Sequence, residues 1–229
     1  MNFFEITLNS LKLIFSFDPS LYHIIFLSLK VSVSALIISS TFALILGYVL
    51  AINNFYFKGS IIVILNAFMG LPPVVVGLIV YFLLARGGPL GILQLLYTPY
   101  AMIIAQSIII FPIVSSLSYE IFSHNWKQFR DHFRAFNIPA TGILIIIFRH
   151  SYFILLTVLL SAFGRAIAEV GAVMVVGGNI EHYTRVMTTS ISLQTRMGNL
   201  EYAMALGIVL ILLTVLINGF VYIINLRRR

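Results

Sequence analysis

The sequence contains no cysteine, which excludes disulfides and thiolate metal sites and leaves oxidising and reducing compartments equally open. Charge is nearly as scarce. Only 9% of the 229 residues are Asp, Glu, Lys or Arg, against about 25% in an ordinary soluble domain. A GxxxxGK[ST] pattern is also lacking, so ATP binding through a P-loop is excluded. The histidines His23, His124, His132, His150 and His182 are spread over several segments, and His124 and His132 are too far apart for a metal pair on one helix face. No Ser, His, Asp constellation stands out. The chain is expected to be no enzyme, with no catalytic residue, no metal and no cofactor of its own.

What is present is oil. Hydrophobic residues make up 60% of the chain, and charge-free runs extend from Val31 to Phe57, Gly59 to Ala85, Gly87 to Tyr119 and Tyr202 to Leu226. Each exceeds the ~20 apolar residues that cross a bilayer as helix. None alternates polar and apolar, as strands of a membrane barrel do. These runs predict an all-α membrane protein with about five transmembrane helices: Leu21–Asn53, Ser60–Leu84, Leu93–Phe122, Ile143–Ala172 and Asn199–Leu226. Residues 1–20, with Glu5, Asn9 and Lys12 among apolar side chains and no signal-peptide pattern, read as an amphipathic helix at the membrane interface. Residues 21–229 read as a single transmembrane domain.

The surplus of 14 Lys and Arg over 7 acids would suggest nucleic acid in a soluble protein. Here it reflects membrane anchoring and cytoplasmic loops, with lipid and not nucleic acid as the partner. The His124–His150 segment and the C-terminal LRRR are the most basic regions, and the positive-inside rule puts both in the cytoplasm. The two are separated by two spans, so the C-terminus is expected to be cytoplasmic. The first twenty residues, the Arg86–Ile92 turn and a polar loop at 177–198 are then external.

Between the third and fourth spans, a connecting loop at 123–146 carries Trp126, Phe129, Phe133 and Phe136 on one narrow helical face. Lys127, Arg130, Asp131 and Arg134 fall on another. Ser123 or Asn125 is expected to cap this short helix, and Asn137, Ile138 and Pro139 to stop it. Two readings fit: a helix lying in the headgroups, or one whose aromatics fill a groove on a partner.

Arg165 and Glu169 stand four apart in the fourth span, between the charge-free runs Ser151–Gly164 and Val170–Ile180, and share a face. Intramembrane charges face a cavity or the bundle interior. The pair is either a structural tie or part of an anion pathway, and its position nearer the external end of its span suggests an outer gate. Gly164, Ala166, Ala168, Gly171 and Ala172 allow a second helix, or a second copy of the chain, to approach closely. Pro72 and Pro73 interrupt the second span and bend it, either as a packing kink or beside a water-filled cavity. Gly177 and Gly178 open the external loop, which carries Arg185 and in which Thr184, Thr188, Thr189 and Ser190 either offer donors to an oxyanion or are simply solvated hydroxyls. Lys30 is expected to snorkel outward.

The stretches LSLKVSVSALIISSTFALILGYVLA, MGLPPVVVGL and GRAIAEVGAVMVVGGNIEHYTRVMTTSI resemble the core of type I ABC importer permeases, in the molybdate and tungstate branch and closest to tungstate-type permeases. These similarities cover nearly the whole chain. In that family the cytoplasmic loop carries an EAA motif that forms a coupling helix on the ATPase. Asp131, His132 and Phe133 fall at its Glu-Ala-Ala positions, Asn137 at its glycine and Ile147 at its isoleucine, with Arg149 and His150 where Leu-Pro is usual. The resemblance implies a homodimeric permease in the inner membrane of a prokaryote, with two ATP-binding cassette ATPase subunits and an external oxyanion-binding protein. ATP would be used by the partner. The coupling residues would be Trp126, Phe129, Arg130, Asp131, Phe133, Arg134, Phe136 and Asn137. The pathway or gate would comprise Arg165, Glu169, Pro72, Pro73, Gly177, Gly178, Thr184, Arg185, Thr188 and Thr189. Tungstate is the expected substrate, with molybdate or another small solute as alternatives. An ion-gradient-driven transporter or channel, and a non-transporting assembly subunit, are the readings from other classes.

Overall fold

The computed structural model describes residues 3–226. Among them the order is α1 (Phe3–Phe15), α2 (Pro19–Ile52), α3 (Lys58–Met69), α4 (Pro73–Leu84), a 3-10 turn (Gly91–Leu93), α5 (Pro99–Ala135), α6 (Ala140–Ile167), α7 (Gly171–Gly177), α8 (Met187–Arg196) and α9 (Leu200–Leu226). No strand occurs among the described residues, as expected where no water is present to satisfy an open sheet edge. The basic Arg227–Arg229 end lies outside the described residues.

Helices α2, α5, α6 and α9 are each long and apolar enough to cross a membrane. The expected second span is two helices, α3 and α4, meeting at 105°, far more than a kink. Gly70 and Leu71 donate back to Ala67 and Phe68 and close α3. Pro73 then opens α4 at the first helical position, where its missing donor has no use. The pair still connects the two ends of the bundle. Lys58 lies 5.7 Å above the Tyr119 ring, and Tyr81 stands 6.3 Å from Tyr97. Tyr97 and Tyr119 bracket about 30 Å of α5 at 1.5 Å per residue, the thickness of the hydrocarbon core. The pair is therefore one broken span, and the spans among the described residues number five.

Helix α5 is the central post. Within its most apolar window 61% of residues are buried, against 22% for α6 and 11% for α9, so α9 is peripheral. Lipid supplies no hydrophobic drive between helices, and close backbone approach takes its place. A Cβ on Gly47 would meet the Tyr119 backbone nitrogen at 3.0 Å and the Ser115 carbonyl at 3.1 Å. Ala35, Ala43, Ala101 and Ala105 are fully buried along the same packing.

Helix α1 is tied to the start of α9. Asn9 Nδ2 donates to Glu201 Oε1 at 2.7 Å and Ser10 Oγ to the Glu201 carbonyl at 2.8 Å, while Phe3, Phe4 and Phe15 remain exposed. Asp18 caps α2, accepting from Leu21 N–H at 2.9 Å. The Ser20 hydroxyl and that N–H hold its carboxyl below the usual carboxylate range.

Two connecting loops turn out to hold helix. The expected short helix after Ser123 is the uninterrupted end of α5, so neither Ser123 nor Asn125 caps it. Asn125 is buried and donates to Ser151 Oγ of α6 at 2.6 Å. The stop is where the sequence put it: α5 ends at Ala135, Asn137 takes φ +48° and Pro139 precedes α6. The 177–198 segment contains α8.

Candidate functional site at the crossing of two broken helices

The fourth span is broken as well. Helix α6 ends at Ile167 and α7 begins at Gly171, so Glu169 sits in the break and not on a continuous face with Arg165. The two still pair, Arg165 Nη1 to Glu169 Oε2 at 2.9 Å. The break explains why a carboxylate is there. Glu169 Oε1 accepts from the Ala172 N–H at 3.2 Å, filling a donor that the start of α7 leaves open, and an anion at a helix N-terminus is favoured by the dipole.

Two carbonyls at the break also gain side-chain donors. Gln106 Nε2 of α5 donates to the Ala166 carbonyl at 3.0 Å, and Thr188 Oγ1 of α8 donates to the Glu169 carbonyl at 2.8 Å. Interrupted backbone at membrane depth requires such partners. Gln106 escaped the sequence reading because one amide inside a charge-free run has no pattern. Its Oε1 is buried without a partner.

Depth follows from the neighbours. Arg165 lies in a crevice of about 230 Å³ with Phe68, Met69 and Leu71 from the α3–α4 break, Ile79 and Val80 of α4, and Ile108 and Ile109 of α5. Ile108 is about 14 Å along α5 from Pro99 at 1.5 Å per residue, near the middle of a ~30 Å core. The expectation of an outer position is corrected: α6 begins beyond the bilayer and α7 completes the crossing, so residue 165 is central. Glu169 is 4% exposed while Arg165 is 42% exposed. One partner is sealed in the protein and the other opens into an apolar crevice.

Both breaks therefore meet at one depth. Helices α4 and α7 touch through backbone, since a Cβ on Gly77 would stand 2.7 Å from the Ala172 Cα, and one on Gly171 would stand 2.5 Å from Val74 Cγ2. Pro72 and Pro73 shape the first break. Gly177 and Gly178 end α7, Gly178 at φ +70° against the Tyr97 ring, a conformation that glycine adopts without strain.

Three of the hydroxyls expected to face an oxyanion are used internally. Thr184 Oγ1 donates to the Gly177 carbonyl at 2.6 Å and accepts from Ile180 N–H at 2.9 Å. Thr189 Oγ1 donates to the Val186 carbonyl at 3.1 Å and accepts from Val186 N–H at 3.1 Å. Thr188 locks the α6–α7 break. All three are buried. Arg185 pairs with Glu181 at 3.2 Å and lines a cavity of about 150 Å³ with Ser20, His182 and Tyr202, apart from the Arg165 crevice.

At the other end, the aromatic face is real but mostly covered by the chain itself. Trp126 and Phe129 stand 6.1 and 6.2 Å from Phe133, and the Phe129 ring is 5.1 Å from His150 of α6. Phe133 is buried, and only Phe136 is fully presented, at 75% exposure. Arg130 and Asp131 form an exposed pair at 3.5 Å. Arg134 and Asn137 are exposed beside them.

Comparison with known proteins meets this geometry. A tungstate uptake system permease protein TupB of Peptoclostridium acidaminophilum is 41% identical over 213 residues, covering 93% of each chain. A probable anion ABC transporter permease protein of Haloferax volcanii is 38% identical over 84% of this chain and 85% of its own. The TupB of Campylobacter jejuni is 37% identical over 72% of this chain and 69% of its own. Residues 23–229 match the model of the binding-protein-dependent transport system inner membrane component. Among the described residues, five membrane spans with α5 at their centre, two of them broken at mid-depth, and this match over nearly the whole chain lead to one conclusion: the chain belongs to the family of binding-protein-dependent transport system inner membrane components, the permease subunits of ABC importers.

Proposed function

We propose that the chain is the permease subunit of an ATP-driven importer that moves tungstate inward from an external binding protein, working as a homodimer with two ATP-binding cassette subunits. The observation that carries the pathway is the mid-depth Arg165, held by a buried Glu169 yet open to a crevice. Its cation, in the last turn of α6 beside the break, attracts an anion at the depth where a carrier must hold it. A twofold copy would bring a second Arg165 to the same path. The α3–α4 and α6–α7 breaks are natural hinges, because no helical hydrogen bond crosses them. Tungstate is supported by the relatives named as tungstate uptake permeases.

The Lys127, Arg130, Arg134 and Arg149 end is assigned to the cytoplasm on the positive-inside rule, and with it the C-terminus. The Tyr97 end, with α8 and the start of α9, then faces the binding protein. Nucleotide and its energy belong to the partner ATPase. The contact with that ATPase is assigned to the elbow between α5 and α6, where Phe136 projects with Arg130, Asp131, Arg134 and Asn137. Trp126, Phe129 and Phe133 stiffen the elbow from behind, so that force on Phe136 reaches α6.

Two variants separate these roles. Phe136→Ala should leave thermal stability unchanged and abolish copurification of the ATPase. Phe133→Ala should destabilise by about 3–5 kcal/mol, the cost of truncating a buried aromatic. Retention of the ATPase by Phe136→Ala would remove the elbow from the interface.

The transport reading is tested in vesicles that hold the permease, its ATPase and its binding protein, with metal analysis of accumulated tungstate. Uptake should require internal ATP and exceed molybdate uptake at equal concentration. Uptake that survives an inactive ATPase but follows an ion gradient would establish the gradient-driven alternative. Equal molybdate uptake would widen the substrate to tetrahedral oxyanions. No flux of either would leave a non-transporting assembly subunit.

A further inference from the structure

Helices α2 and α6 leave a groove between them of about 330 Å³, walled by Leu44 on one side and Leu155, Leu156 and Leu159 on the other. Arg149, Phe148 and Tyr152 stand at its opposite end. Protein does little to cover this flank, since only 22% of the apolar window of α6 is buried.

The polar residues next to Arg149 are already engaged. His150 packs against Phe129 at 5.1 Å, and Ser151 accepts from Asn125 at 2.6 Å. Arg149 itself is exposed and has no ion pair or hydrogen bond among the described residues. Tyr152, on the same helix face one turn on, is 58% exposed, and its hydroxyl has no hydrogen bond among them. Two donors therefore stand at the head of an apolar channel.

From Arg149 to Leu159 the groove runs about 15 Å at 1.5 Å per residue, and it crosses the edge of the hydrocarbon core near Tyr119: the Asn125–Ser151 bond sets the Arg149 end on the headgroup side, while Leu44, three residues before the Gly47 that packs on Tyr119, lies within. We infer that this groove binds one anionic phospholipid, its phosphate on Arg149 and Tyr152 and one acyl chain along Leu155, Leu156 and Leu159. A guanidinium grips a phosphate in bidentate fashion. A zwitterionic lipid brings its own cation and leaves no net charge for Arg149 to neutralise, whereas an anionic one does. The site depends on the chain lying in a bilayer and not on which solute it carries.

Native mass spectrometry of the detergent-purified full chain, titrated with phosphatidylglycerol or phosphatidylcholine, tests this. The first bound phosphatidylglycerol should be preferred about fivefold, the increment of one basic residue at a membrane surface. Arg149→Gln should bring the ratio near one. Lys127→Gln, which removes a charge from the same end without touching the groove, should leave it unchanged, and Leu156→Trp should displace both lipids. The inference is overturned if the wild type shows no preference, if Arg149→Gln keeps it, or if Lys127→Gln abolishes it equally. It is also overturned if Leu156→Cys, in this cysteine-free chain, crosslinks between copies in native membranes, because a second permease would then occupy the groove.

Discussion

Arg165→Leu is expected to be the most damaging single substitution in the chain, costing on the order of 3–5 kcal/mol and all transport. The loss falls on Glu169. That carboxylate is 4% exposed, and without the guanidinium it keeps only the Ala172 N–H. An uncompensated buried charge carries this penalty, and in a chain of this size 1 kcal/mol moves the melting midpoint by about 2–4 °C. The midpoint in nanodiscs should therefore fall by on the order of 10 °C. Arg165→Leu combined with Glu169→Gln should recover most of that, since the amide oxygen still accepts from Ala172 while the orphan charge is gone. Recovered stability with transport still absent would separate the cation's role in moving the anion from its role in folding. Additive losses in the double variant would show that the two side chains are not coupled, and the site would lose its anchor.

The second large effect is expected at Gly77→Val. The first added carbon would meet the Ala172 Cα at 2.7 Å and its carbonyl oxygen at 3.1 Å. Backbone cannot rotate away as a side chain can. Helix α4 must lift off α7, at the point where Glu169 and Ala172 join α7 to Arg165. Overpacking costs about 1–3 kcal/mol, and uptake should fall further than stability because the two breaks are pulled apart. Gly207→Ala in α9 is the contrast: nothing lies within 4 Å of its added carbon, and replacing a helical glycine by alanine gains up to about 1 kcal/mol. Equal effects at the two positions would mean that α4–α7 contact is not what links the breaks.

Much of this was legible in residue types. The bilayer reads composition, so charge-free runs announce the spans, and Asn137 with Pro139 announces the elbow. Three of the four aromatics expected on one face, Trp126, Phe129 and Phe133, come together, while Phe136 follows the end of α5. What covers them was not legible, because a helical face has the same pattern whether its cover is a partner, lipid or the next helix. Here α6 takes Trp126, Phe129 and Phe133, and only Phe136 is left over. The threonines failed likewise: a hydroxyl offers the same donor to an anion and to the carbonyl of its own turn, and the folded chain uses the nearer one.

By itself, then, the sequence determined the class of molecule, the positions of its spans and the family resemblance, each a matter of local composition or motif. The tertiary structure alone decided that the second and fourth spans break at one depth, that Glu169 seats Arg165 from inside such a break, and that Gln106 and Thr188 close the broken backbone. Those facts depend on groups 19 and 60 residues apart in the chain, and separation of that kind has no local signature. Depth is settled in the same way, because a residue's height in a bilayer is set by what packs beside it and not by its count from the end of a helix.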